Sequence, residues 1–294
     1  MKKSTLVSLV GAALLCTDSA SADINKLWLA GDAMAYGWSL DDAVCILASE
    51  AAPEVYNGIV YLQGGKDFKF LTTFDFGNEE WGAAPDATLT DGRVDLAMGK
   101  DDTGYGKLQV AVDANYAITV GLTNKVATIV KAECQDPQLV SPSYFMVGDA
   151  TPNGWEVTLG TPLFQDQATP YVYTVTKQAM KAGSFKITRA LKGGFDDPGR
   201  WLYAAADDAT KVSTDPEGDH QWQIAEDGNY DITMNVKDMT MTITKSVDTG
   251  LSTIEVSDEA TPVYYNLQGQ RVDAPAAGLH IRVAGQEVSK VIIR

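Results

Sequence analysis

The sequence predicts an all-β protein: two tandem antiparallel β-sandwich modules of immunoglobulin-like type, followed by a small β tail. Three observations carry that prediction. One set of sequence blocks occurs twice in the same order, apolar residues alternate with polar ones, and Gly, Asp and Pro clusters divide short strand-like runs.

The repeat emerges when the chain is compared with itself. Leu27 to Trp38 reads LWLAGDAMAYGW, and Tyr144 to Trp155 reads YFMVGDATPNGW, 117 residues later. At the same offset Asp67-Phe68-Lys69-Phe70 matches Ser184-Phe185-Lys186-Ile187. KLQVAVDANYAITVGL from Lys107 then matches QWQIAEDGNYDITMNV from Gln221, offset by 114. The modules are therefore expected at 24–133 and 142–246. Between them, Gln135 to Ser143 contains Pro137 and Pro142 and reads as a short, stiff linker.

Within the blocks, Tyr230, Ile232 and Met234, then Met239, Met241 and Ile243, follow the period of two of half-buried strands. A hairpin turn is expected around Lys237-Asp238, echoed at Leu122-Thr123-Asn124-Lys125. In the tail, 252–294, the apolar runs Val263 to Leu267, Gly278 to Val283 and Glu287 to Ile293 predict a third β unit, marginal in stability by itself.

Residues 1–22 carry Lys2 and Lys3, an apolar run from Leu6 to Leu15, and Ala20-Ser21-Ala22 as a cleavage site. That is the pattern of a secretory signal peptide, so export is expected. Cys16 offers lipoprotein processing as an alternative, against which Leu15 stands where a small residue is wanted. The formal net charge of −16 makes nucleic acid and anionic lipid poor partners, whereas a neutral sugar meets no charge penalty.

Beyond the leader, Cys45 and Cys134 are compatible with either a disulfide or two thiols. Cys and His spacing does not suggest zinc. Asp215-Pro216-Glu217-Gly218-Asp219 has oxygen ligands without the spacing of an EF-hand, so no metal or cofactor is expected.

A sugar ring packs its C–H face on a flat aromatic ring while its hydroxyls take directed hydrogen bonds. Trp38, Lys69 and Trp81 in the first module, and Trp155, Lys186, Arg200 and Trp201 in the second, supply those groups. Each also has a structural reading. Trp38 and Trp155 recur where a packing residue would recur, and Trp28 and Trp222 lie in strand blocks and are expected in the core. Trp81 and Trp201 follow Gly-, Asp- and Pro-containing loops, which favours exposure. Lys69 and Lys186 should point away from the Phe68 and Phe185 side, to solvent or to a ligand. Asp32 and Asp149 are expected to cap the turn after the first strand by an Asx hydrogen bond.

An enzyme is not expected. A Ser-His or Cys-His system would have to rest on His220, because the other histidine, His280, lies in the tail. Glu79, Glu80, Asp196, Asp197, Asp207 and Asp208 read as solvated loop acids rather than a glycosidase pair. The alternative to sugar binding is a structural or adhesive surface protein whose sandwiches make protein contacts.

At LWLAGDAMAYGW, YFMVGDATPNGW, DFKF, SFKI and DGNYDITMNVKDMTMTITK the chain resembles the SusE/SusF outer-membrane starch-binding family. The resemblance implies non-catalytic capture of α-glucan at the cell surface beside outer-membrane glycan-uptake proteins, through paired aromatics and polar side chains. It covers the second copy more closely than the first. VYYNLQGQRVDAPAAGLHIRVAGQEVSKVIIR resembles the C-terminal sorting tail of type IX secretion, with Gly278-Leu279-His280-Ile281 as its GLYI-type motif and Arg294 as its basic end. That implies passage across the outer membrane.

Overall fold

The computed structural model describes residues 24–49, 52–99, 104–192, 194–246, 262–266, 270–273, 276–284 and 287–293. The signal peptide expected over 1–22, with Cys16, lies outside them, as does Arg294. The chain divides into two compact units, Met1–Ser246 and Val247–Arg294. Every regular element longer than a single 3-10 turn is a strand. Among the described residues no helix is long and apolar enough to cross a membrane.

Eight strands from the first copy close into a barrel: β1 (Lys26–Ala30), β2 (Val44–Ser49), β3 (Ala52–Leu62), β4 (Lys69–Leu71), β5 (Glu80–Ala83), β6 (Arg93–Gly99), β7 (Ala114–Gly121) and β8 (Val126–Lys131). They pair in the cyclic order β1-β2-β3-β7-β8-β6-β5-β4. The second copy has β9 (Ser143–Val147), β10 (Thr161–Gln165), β11 (Val172–Met180), β12 (Gly183–Thr188), β13 (Trp201–Ala205), β14 (Asp208–Ser213), β15 (Trp222–Ile224), β16 (Gly228–Asn235) and β17 (Thr240–Lys245). Its order is β13-β14-β17-β16-β11-β10-β9-β12-β15, and β12 also pairs with β13. That last pairing closes the same ring of eight, with β15 added on β12.

The closure differs from two separate sheets. Its cause is the strand of each DFKF or SFKI block, which bonds on both sides: β4 with β1 and β5, β12 with β9 and β13. A sandwich would leave those edges unpaired.

Alternation places the core as the sequence implies. Leu27, Leu29, Phe68, Phe70, Ile118 and Val120 fill the first ring. Phe185, Ile187, Trp222, Ile232 and Met234 fill the second, where Phe185 and Trp222 stack at 5.7 Å. The hairpins fall where expected, with Ile232 opposite Ile243 and Met234 opposite Met241. Trp28 departs from the expectation. Leu27 and Leu29 beside it take the core face, so Trp28 lies half-buried on the other, 4.3 Å from Phe74.

The segment between the rings is strapped down rather than free. Buried Asn115 donates to the carbonyls of Cys134 (3.1 Å) and Pro137 (2.9 Å) and accepts from the Leu139 amide (2.9 Å). The Tyr61 amide adds a bond to the Leu139 carbonyl. Cys45, Leu47, Phe145 and Leu191 form a separate apolar cluster between the rings. Beside it the Gln165 amide exchanges two hydrogen bonds with the backbone of Ile59, at 2.6 and 2.9 Å. Cys45 and Cys134 are both free thiols. Burial pushes the Cys45 thiol up to about 11, and its partner is Ser143.

The second unit is a four-stranded sheet in the order β19-β18-β20-β21: β18 (Val263–Tyr265), β19 (Arg271–Val272), β20 (Gly278–Ala284) and β21 (Glu287–Ile293).

Candidate functional site

Each copy of GDAxxxGW folds as the same backbone-closed loop. The first glycine donates to the second glycine's carbonyl at 2.9 Å in both copies, Gly31 to Gly37 and Gly148 to Gly154. A side chain at Gly31 or Gly148 would collide with the backbone leading into β4 or within β12, at 2.2 Å from the Asp67 carbonyl oxygen and 2.1 Å from that of Ser184. Asp32 and Asp149 are exposed, and backbone pairs such as Ala33 to Asp67 and Ala150 to Ser184 tie the loop. The expected Asx cap is therefore not what closes it. The loop delivers Trp38 and Trp155, both half-buried, beside Lys69 of β4 or Lys186 of β12.

In the second copy that lysine, Lys186, sits in an aromatic box. Its Nζ lies 5.9 Å from the Trp155 ring, 5.2 Å from Phe195, 4.9 Å from Trp201 and 5.4 Å from Tyr203, within cation–π range of all four. It also donates to Asp219 at 2.7 Å, and Gln221 donates to the other oxygen of that carboxylate. Burial opposes ionisation of Asp219, but the bonds from Lys186 and Gln221 outweigh it and hold the carboxyl below its ordinary value.

Lys186 is buried: the face opposite Phe185, expected to meet solvent or a ligand, is enclosed by the rings and Asp219. Trp201 is only 2% exposed, against the exposure its loop position favoured, since Phe195 stacks on it at 5.0 Å. The rings left to the surface are Trp155 and Phe195, the latter 46% exposed, set 5.9 Å apart at 66°.

The first copy repeats this plan with different chemistry. Lys69 is likewise buried rather than solvated, within 5.4 Å of Trp38, 4.9 Å of Phe76 and 5.8 Å of Tyr105. Strand register decides the rest. Leu71 faces Glu80 as Thr188 faces Trp201, so Glu80 occupies the place of Trp201. Glu80 pairs with Lys69 and Tyr105 inside the protein. Burial raises its pKa, yet the Lys69, Tyr105 and Gly77 bonds prevail and hold it below the ordinary value. Trp81, one residue on, faces Phe70 and enters the barrel core, contrary to the exposure its loop suggested.

Arg200 serves the seam between the copies. It donates to the carbonyls of Asp41 (3.2 Å) and Lys192 (2.7 Å), and pairs with Asp197 (3.1 Å) and Asp42 (3.5 Å). Arg189 joins it on Asp42 at 3.3 Å and lies 3.3 Å over the Tyr36 ring. Arg200 adjoins Trp201 in sequence and was a sugar candidate for that reason, but it ends the 3-10 turn Pro198–Arg200 and its guanidinium turns to Asp42 and Asp197.

Phe195, Asp219, Tyr203 and Gln221 were missed. Phe195 had a signal, as the one large apolar residue of the loop GGFDDPGR. Asp219 entered only as a possible calcium ligand. Its meeting with Lys186 brings a turn residue onto strand β12 from 33 positions away in sequence.

Two surface rings over a buried lysine, whose carboxylate partner Asp219 reaches solvent, form a recognition surface of the kind a binding module presents. Residues 139–245 match the family model described as "SusF, first starch specific CBM", so the resemblance carried by the repeat motifs is borne out over that stretch, and the matched module is a non-catalytic class. Among solved structures, one described as the crystal structure of SusF from Bacteroides thetaiotaomicron is 18% identical with a TM-score of 0.29. The alignment covers 74% of this chain and 47% of that one, so this chain spans about half its length. No curated protein matches the chain.

Proposed function

We propose that the chain is an exported, non-catalytic glycan-binding protein with modules at 24–133 and 142–246, and that the second holds starch-like α-glucan against Trp155 and Phe195. The observation carrying this reading is that the matched stretch contains a lysine-centred box of four aromatic rings, two of which reach the surface. Two tilted rings suit a curved glucan better than a flat one, since each takes the C–H face of a successive sugar. Asp219 and Gln221 are placed to bond hydroxyls, and Lys186 fixes Asp219. Trp201 is the floor under Phe195, and Arg200 anchors the loop that carries it.

In the first module the Lys69–Glu80 pair replaces that floor, so Trp38, Lys69 and Trp81 are assigned to structure. Isothermal titration with maltoheptaose should give heat for the full chain and none for Trp155→Ala/Phe195→Ala. Equal heat from both proteins would overturn the assignment.

The tail, 252–294, is proposed as a surface address of the type IX kind, which puts the protein at the cell surface beside glycan-uptake proteins. Its sheet carries Leu279, Val288 and Ile292 exposed. A version truncated before Leu251 should be lost from the cell surface; unchanged display would remove the assignment.

A further inference from the structure

We propose that the first module positions the glycan-binding loop of the second: Tyr36 and Asp42 are positioning residues that set Phe195 from across the seam. This rests on reading Trp155 and Phe195 as the glycan site, and it gives a part in binding to a module that touches no ligand.

Phe195 lies at the tip of the β12–β13 hairpin. The last strand pair there is Thr188 with Trp201, and the Arg189 amide closes the root of the loop on the Arg200 carbonyl at 3.1 Å. From both limbs of this loop, side chains turn to the first ring. Leu191 is buried in the cluster with Cys45 and Leu47, and Lys192 pairs with Asp41 at 3.6 Å. Arg189 lies over the Tyr36 ring and reaches one oxygen of Asp42 through both terminal nitrogens, at 3.4 and 3.3 Å. Ser39 holds the other oxygen of Asp42 at 3.0 Å, which fixes the carboxylate toward the loop.

Arg189 and Arg200 are almost wholly buried, and a buried cation needs a counter-charge. Arg200 has Asp197 in its own module. Among the described residues, Arg189 finds in its own module the Gly199 carbonyl at 3.4 Å, and its carboxylate is Asp42. Without that charge, hydration draws Arg189 outward and the root of the loop moves with it. Phe195 then loses its stack on Trp201 and its setting 5.9 Å from Trp155. A ring that must be re-ordered on binding costs affinity.

The repeat shows that this device belongs to the first copy. At the offset of 117, Tyr36 and Asp42 become Asn153 and Leu159. Asn153 turns inward to donate to the Leu159 carbonyl at 2.8 Å, and Leu159 is exposed.

The test takes the full chain through titration calorimetry with maltoheptaose and, without ligand, through hydrogen exchange of residues 194–200. Asp42→Asn keeps the shape and removes the charge, and Tyr36→Leu removes the stacked ring. Each should weaken binding about tenfold and speed exchange in the loop. In a Phe195→Ala background, which keeps Trp155, Asp42→Asn should change affinity by less than about twofold, because Asp42 acts through the missing ring. Equal losses in both backgrounds overturn the positioning role. Affinity unchanged in both single variants, with the parent binding, overturns it and leaves the Trp155–Phe195 site standing. Loop exchange indifferent to both substitutions overturns it whether or not the parent binds. No heat from the parent overturns the glycan site and this role together.

Discussion

At the scale of single residues, the two buried lysines separate function from scaffold. Lys69 and Glu80 are almost wholly inside the protein, so removing one partner strands the other charge. Glu80→Ala should cost about 3–5 kcal/mol of stability, measured by urea unfolding. The folded pKa of Glu80 lies below its ordinary value of 4.5, so its contribution is complete above that value and is lost as pH falls through the depressed one. Thermal melts should therefore lose stability in acid, and Glu80→Gln should flatten that slope. Trp155→Ala should weaken glucan binding by about 2 kcal/mol, roughly thirtyfold, and leave the melting temperature near that of the parent. Cys45, buried and with its thiol pushed up to about 11, should resist alkylation in the native protein and react on unfolding, whereas half-buried Cys134 reacts natively.

At the scale of elements, the GDAxxxGW loop is a backbone device. Gly148→Ala puts a methyl against the Ser184 carbonyl at a φ of +156° and should destabilise the second module by about 1–3 kcal/mol or more. Thermal unfolding with and without maltoheptaose would register both the loss and its effect on Trp155. Such elements were largely legible in the sequence, because a period of two and a repeated block are local signals. Strands at Tyr230–Met234 and the hairpin at Lys237-Asp238 follow from side-chain alternation alone. Ring closure was not legible, since it depends on three-residue β4 pairing on both flanks. The site was half legible for the same reason. Lys186 and Trp155 lie in repeat blocks, whereas assigning Trp201 to the box and Trp81 to the core turns on a one-residue difference in register across loops of unequal length.

At the scale of the molecule, the two rings of the first unit are held by a strap, an apolar cluster and one acid gripped by two arginines. Asp42→Ala would leave Arg189 and Arg200 without that partner and cost about 3–5 kcal/mol. Calorimetry should then resolve the single unfolding transition expected of the parent into two. That acid has a further consequence for how such a chain could lengthen. The counterpart of Asp42 in the second copy is Leu159, and the counterparts of Arg189 and Arg200 in the first are Thr72 and Glu79. Neither free end of the pair carries the half-seam that another copy would need. The seam is therefore particular to the one junction between these two rings: a copy placed in the other order would offer Leu159 to Thr72 and Glu79, with no charge to grip.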